Sequence, residues 1–201
     1  TMTLNFCKYL NKVDLRGTQI TAVNFNTKGG SLREIYFPKT IQSVNLLNQL
    51  LLTDMVLPLG EDGSDTAVGL ATATIENCPN IVRMNDTNSD PTSLNGFKYC
   101  RNITFNNSIK LERFNFYGFT RLANVNLQNM ETLKEVDFLN MAEKGQETSL
   151  KYIGVSACPN LTKITMNCND PNYEITWAED GLLDLQTAGA VEEITSNCII
   201  K

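Results

Sequence analysis

The chain contains no histidine among its 201 residues. That absence removes the Ser-His-Asp triad and the Cys-His nucleophile pair. No two of its six cysteines form C-x-x-C, so a zinc site would need an unusual all-cysteine or carboxylate set, and no metal is expected. Cys7, Cys78, Cys100, Cys158, Cys168 and Cys198 are not spaced like a small disulfide scaffold, and a chain of this length does not need one. They are expected to be buried free thiols that pack as small apolar groups. Neither G-x-x-x-x-G-K-[ST] nor G-x-G-x-x-G occurs, so nothing points to a phosphate cradle. No apolar run approaches ~20 residues, which argues against a membrane-spanning helix. A basic surface is also missing: the net charge is −5, unlike that of a nucleic-acid binder.

Weak motifs fail on their details. "DTNSD" (86–90) opens like a calcium loop, but Pro91 stands where the sharp turn needs Gly, and Phe97 where the bidentate Glu belongs. Glu61/Asp62 and Glu192/Glu193 are sequence neighbours, which does not make a flanked cleft. Sequons at Asn85, Asn102, Asn106 and Asn160 are what an Asn-rich chain yields by chance. Catalysis and cofactors are therefore not expected.

What is present is a rhythm. "TRLANVNLQNM" (120–130) superposes on "ETLKEVDFLNM" (131–141), with Leu122 over Leu133, Val125 over Val136 and Leu127 over Phe138. The pattern of an apolar residue followed by apolar residues three and five positions later starts at Leu10, Ile20, Leu32, Ile41, Leu52, Leu70, Ile81, Cys100, Leu111, Leu122, Leu133, Leu150 and Leu161. The closing in–out–in step over β-branched or aromatic residues is the mark of a short strand with one buried face.

Taking alternate hits gives two sets. One starts at 10, 32, 52, 81, 111, 133 and 161, the other at 20, 41, 70, 100, 122 and 150. From the second set to the next hit of the first the spacing is 12 and then always 11, whereas in the other direction it runs from 9 to 19. One side of the unit is fixed and the other takes the insertions 58–69, 86–97 and 142–149, which have loop composition. This spacing predicts a β-rich solenoid of about seven coils, each with two apolar segments facing across a narrow core.

"LREIYFP" at 32–38, followed by a new apolar segment at Ile41, resembles the BspA-like leucine-rich repeat. "NCPNIVRM" (77–84) and "ACPNLTKITMNC" (157–168) resemble Cys-containing leucine-rich repeats, with Cys78 and Cys158 at the ninth position after Leu70 and Leu150. Asn169 does the same after Leu161, but no continuous Asn ladder is expected, since Thr18, Thr40 and Met130 occupy ninth positions, and long outer helices are missing. The resemblance implies an irregular, right-handed α/β coil stack over 1–169. It leaves 170–201 as an irregular terminal coil or cap in which "YEITW" and "VEEITS" offer strands.

The resemblance further implies a strand face that binds a protein or glycan without catalysis, at a cell surface. If the first-set strands form that face, its outward residues include Asp14, Tyr36, Val56, Asn85, Asn115, Asp137 and Thr165, flanked by Lys12, Glu34, Arg83, Arg113, Glu135 and Lys163. Asp14, Tyr36, Asn85, Arg113, Asn115, Asp137, Lys163 and Thr165 are the candidate contacts, and Tyr36 and Tyr117 the aromatic anchors. The alternative is a structural or adhesive part of a larger assembly such as a phage tail or virion. On that reading further chain or other subunits cover repeat-like ends at "LNFCKYL" and "CII".

Overall fold

The computed structural model describes residues 1–5, 7–58, 69–85, 92–116, 118–119, 121–139, 152–167, 174–175, 193–196 and 199–200. The strands are β1 (Met2–Leu4), β2 (Lys12–Asp14), β3 (Ala22–Asn26), β4 (Glu34–Tyr36), β5 (Ser43–Leu47) and β6 (Asp54–Leu57). They continue as β7 (Thr72–Cys78), β8 (Arg83–Asn85), β9 (Asn102–Ser108), β10 (Arg113–Asn115), β11 (Asn124–Gln128) and β12 (Glu135–Leu139). The last are β13 (Tyr152–Ser156), β14 (Lys163–Asn167), β15 (Glu174–Ile175), β16 (Glu193–Ser196) and β17 (Ile199–Ile200). Among the described residues the one helical element is a 3-10 turn, Leu94–Phe97, so the helical component expected of an α/β repeat is not found there. None of it is long and apolar enough to cross a membrane.

Every strand pair is parallel, and successive strands go to different sheets. The seven-stranded sheet runs β1-β3-β5-β7-β9-β11-β13, and the opposite side carries β2-β4-β6-β8 and β10-β12-β14-β16. The strands β3 to β13 of the long sheet are the second set of sequence hits, and β2 to β14 opposite are the first. This strand-rich arrangement of parallel sheets is compatible with a β-rich solenoid-like fold. It follows from the sequence: parallel neighbours need a long return connection, and here that connection contains the strand of the opposite sheet.

The inward residues of both sides meet in one core. Val23, Val44, Ala73, Ile103, Val125 and Ile153 come from the long sheet, and Ile35, Met55, Met84, Phe114, Val136 and Ile164 from the other side. Each large side chain so buried is worth roughly 1.5–3 kcal/mol.

The constant spacing of 11 has a local cause at the corners that close β5, β7, β9, β11 and β13. Asn48, Asn77, Asn107, Asn129 and Ala157 hold positive φ, from 44° to 59°. Asn tolerates this region better than other side-chain-bearing residues. A tight turn then follows, with the amides of Leu52, Ile81, Leu133 and Leu161 donating to the carbonyls of Gln49, Cys78, Met130 and Cys158. An Asn ladder does exist, at these corners and not at the ninth position. Asn48 donates to Asn26 (3.0 Å), Asn77 to Asn48 (3.1 Å) and Asn107 to Asn77 (3.2 Å). Burial pushes the Cys78 thiol up to about 12 and also raises that of Cys158. Both donate to backbone carbonyls. Cys100 is buried as well, but Cys7 is exposed, so the expectation of buried thiols is corrected there; its side chain lies ahead of the core-forming strands. Cys168 and Cys198 lie outside the described residues.

The shorter side is broken between β8 and β10. Three features coincide at this break. β6 and β8 shift register between Asp54 and Leu57. The 3-10 turn packs against both strands, with Gly96 so close that a Cβ there would lie 2.7 Å from Leu57 Cβ. The second insertion thus does not simply leave as a loop: its end returns to the core, where Phe97 meets Phe105 edge-on at 5.6 Å. Phe105, Phe114, Phe116 and Phe138 continue this aromatic column. The adjoining corner is strained. Ile109, β-branched and buried, has φ 54°, and the buried Ser108 hydroxyl has no hydrogen-bond partner. β16 pairs with β14, Lys163 opposite Glu193, so Glu193–Ser196 of "VEEITS" continues the second half-sheet.

Candidate functional site

The outward residues of the split side are charged, and register sets them in rows. Lys12, Glu34, Asp54 and Arg83 are successive partners across β2, β4, β6 and β8. Arg113, Glu135 and Lys163 are their counterparts across β10, β12 and β14. Neighbours along a row attract: Lys12–Glu34 at 2.7 Å, Arg83–Asp54 at 3.5 Å and Arg113–Glu135 at 3.7 Å. Exposed pairs of this kind add little stability. What they do is arrange charge of both signs on one face.

Tyr36 is half-buried within the first half-sheet's charges. Lys12 Nζ lies 4.7 Å and Arg16 Cζ 4.5 Å from its ring centre, and its hydroxyl donates to Glu34 at 3.1 Å. Arg16 also forks onto Asp14. That hydrogen bond holds the Asp14 carboxyl down to about 2. Glu34 is lowered chiefly by the hydrogen bond from Lys12, whose own pKa the same bond raises. In the second half-sheet Arg113 covers Asp137, Nη2 to Oδ2 at 2.5 Å, and Asp137 is buried beneath it.

The break opens a cleft of about 540 Å³ between the two halves. Ser93, Leu94 and Asn95 of the inserted turn form one wall, and Glu112, Arg113 and Asn115 the other. Ser93 caps the turn by accepting from the Asn95 amide at 3.2 Å. Asn85 stands behind it, donating to the Ser93 carbonyl at 3.0 Å.

The structure therefore divides the expected contacts. Asp14 and Tyr36 sit together on the first half-sheet. Arg113, Asn115, Asp137, Lys163 and Thr165 share the second, with Asn115, Asp137 and Thr165 in one row. Asn85 is a correction: it is fully buried, because the register shift sets it opposite inward Leu57 and its amide anchors the inserted turn. Val56 is buried at the same irregularity. Asp137 keeps its outward register but is covered. Tyr117 lies outside the described residues. Sequence reasoning missed the cleft residues Ser93, Leu94, Asn95 and Glu112, and also Arg16. The available signal was that insertion 86–97 leads away from a first-set strand.

Comparisons with protein-family models, with curated proteins and with solved structures found no match.

Proposed function

We propose that the chain is a leucine-rich-repeat-like solenoid of about seven coils that serves as a non-catalytic recognition module. Its partner is a protein segment bearing charges of both signs, bound across the split face with one side chain in the cleft. The observation that carries this reading is the break itself. A repeating ladder is interrupted at one place, and there an inserted turn and a bulge border a polar cleft, with a strained Ile109 and an unpartnered Ser108 hydroxyl at the corner leading into β10. Strain and irregular rungs are retained where surrounding structure enforces them, and they cluster at binding sites. The chemistry around it favours binding over reaction. Arg113 is engaged with two carboxylates, and burial keeps the Cys78, Cys100 and Cys158 thiols protonated at neutral pH.

Selection from a displayed random-peptide library tests this. Peptides enriched on the wild-type chain should bind more weakly as salt rises, and should lose about tenfold or more in affinity to the Asn95→Ala/Asn115→Ala double variant. Enriched peptides that bind the double variant equally well would overturn the reading, as would a selection that enriches none.

A further inference from the structure

The outward face of the seven-stranded sheet differs in kind. Its central row reads Thr3, Asn24, Asn45, Thr74, Thr104, Asn126, all in register. The row before it reads Ala22, Ser43, Thr72, Asn102, Asn124, and the row after it Asn26, Leu47, Glu76, Asn106, Gln128. Among these residues Glu76 alone carries a charge. All are exposed or half-exposed. A solvated face normally carries roughly 25–35 % charged residues, and the opposite side of this molecule does carry charge at most of its outward positions.

The polar groups are ordered across the strands. Asn45 donates to Asn24 (3.2 Å), Thr72 to Ser43 (3.0 Å), Asn124 to Asn102 (2.6 Å) and Asn129 to Asn106 (2.8 Å). Each link runs from a later strand to an earlier one. A carboxamide has two N–H donors and two acceptor sites, so an amide in such a link keeps capacity for a ligand wherever those groups are exposed; the Asn45 Oδ1 is buried and offers none. Neighbouring strands repeat at ~4.8 Å. Apart from Ala22, Leu47 and Glu76, the rows form an uncharged lattice of groups that both donate and accept.

We infer that this face is a second binding surface, and that its ligand is an uncharged polysaccharide lying across the strands. Hydroxyls on such a chain match amides and hydroxyls in both donor and acceptor roles, and no ionic partner is needed. An anionic glycan, a nucleic acid or a lipid headgroup would find no cation among the residues of these rows. A protein partner would want the aromatic or Arg anchors on which interface energy concentrates, and between β3 and β11 these rows contain none. This inference does not rest on the proposed recognition of a protein segment.

Co-sedimentation with insoluble cellulose, chitin and starch, and affinity electrophoresis in dextran and β-glucan, test it directly, with heparin as the anionic comparison. The wild-type chain should be retained by at least one neutral polymer, equally at low and high salt, and not by heparin. A Thr74→Lys/Thr104→Glu variant that keeps the wild-type circular dichroism and thermal midpoint should bind about tenfold more weakly. The Asn95→Ala/Asn115→Ala variant should be retained like wild type. Asn24→Ala serves as a milder second probe, with a partial loss expected. No retention by any neutral polymer, retention unaltered in the charged variant, or preference for heparin would each overturn the inference. So would loss of retention in the cleft variant alone, which would place the ligand on the other side.

Discussion

The two sides of this molecule bury the same kinds of residue and expose different ones. The long sheet is continuous through seven strands, in register, and nearly uncharged outside. The opposite side is cut into two half-sheets, charged outside, and takes the insertions. Since the inward positions of both are apolar, Val, Ile, Leu, Met and Phe with Ala73 on the long sheet, stability does not require the difference. The continuous side sets the rhythm, and the broken side is where the chain has departed from it. Parallel strands in register thus make an irregularity readable: a bulge in an irregular protein is one among many, but here it stands against neighbouring strand pairs in strict register.

The largest effects should treat the two sides alike. Val125→Asp on β11 and Val136→Asp on β12 each place a carboxylate in the shared core, at a cost of several kcal/mol. Urea unfolding should show both variants unfolded or close to it; stable, soluble protein from either would mean that the two sheets do not share a core. Gly96→Ala should separate the sides. The added methyl meets Leu57 at the break, and overpacking of this sort costs roughly 1–3 kcal/mol. Hydrogen exchange should rise around β6 and β8 and stay unchanged on β11 and β13.

Ser108→Ala should go the other way. Ser108 occupies the rung position of Cys78, and removing a buried hydroxyl without a partner should stabilise by about 1 kcal/mol, read as a higher urea midpoint. A lower midpoint would show that the hydroxyl is satisfied. The smallest effect concerns pH and belongs to the charged side alone. A carboxyl whose pKa is lowered in the folded state stabilises above its ordinary value and loses that contribution as pH falls. For Asp14 the window runs from about 4 down to about 2. Because the group is exposed, the loss should be small. NMR titration of Asp14 should show its pKa move back toward the ordinary carboxylate range in Arg16→Ala.

Alternation, the two sets and the fixed spacing were legible because buried positions repeat: Val125 and Val136 announce themselves whatever lies outside. The register shift at β6 was not. Val56 and Asn85 occupy outward positions by counting, and only the packing of Gly96 and Phe97 against those strands turns them in. The corner ladder was half-legible, since Asn48, Asn77, Asn107 and Asn129 are visible in the sequence, but their positive φ depends on the chain closing into rungs. β16 could not be counted because much of the sequence around it breaks the pattern. The candidate contacts were legible as charges in rows, but the cleft beside Arg113 and Asn115 was not, because its other wall comes from an insertion that carries no period.

The most direct test of the central claim, that recognition of a protein segment belongs to the broken side, is a titration of one selected peptide against three proteins. These are the wild-type chain, the Asn95→Ala/Asn115→Ala variant and the Thr74→Lys/Thr104→Glu variant, all shown to be folded. The account predicts about tenfold or greater loss in the cleft variant and no change in the long-sheet variant. Loss in the long-sheet variant with the cleft variant unaffected would contradict it.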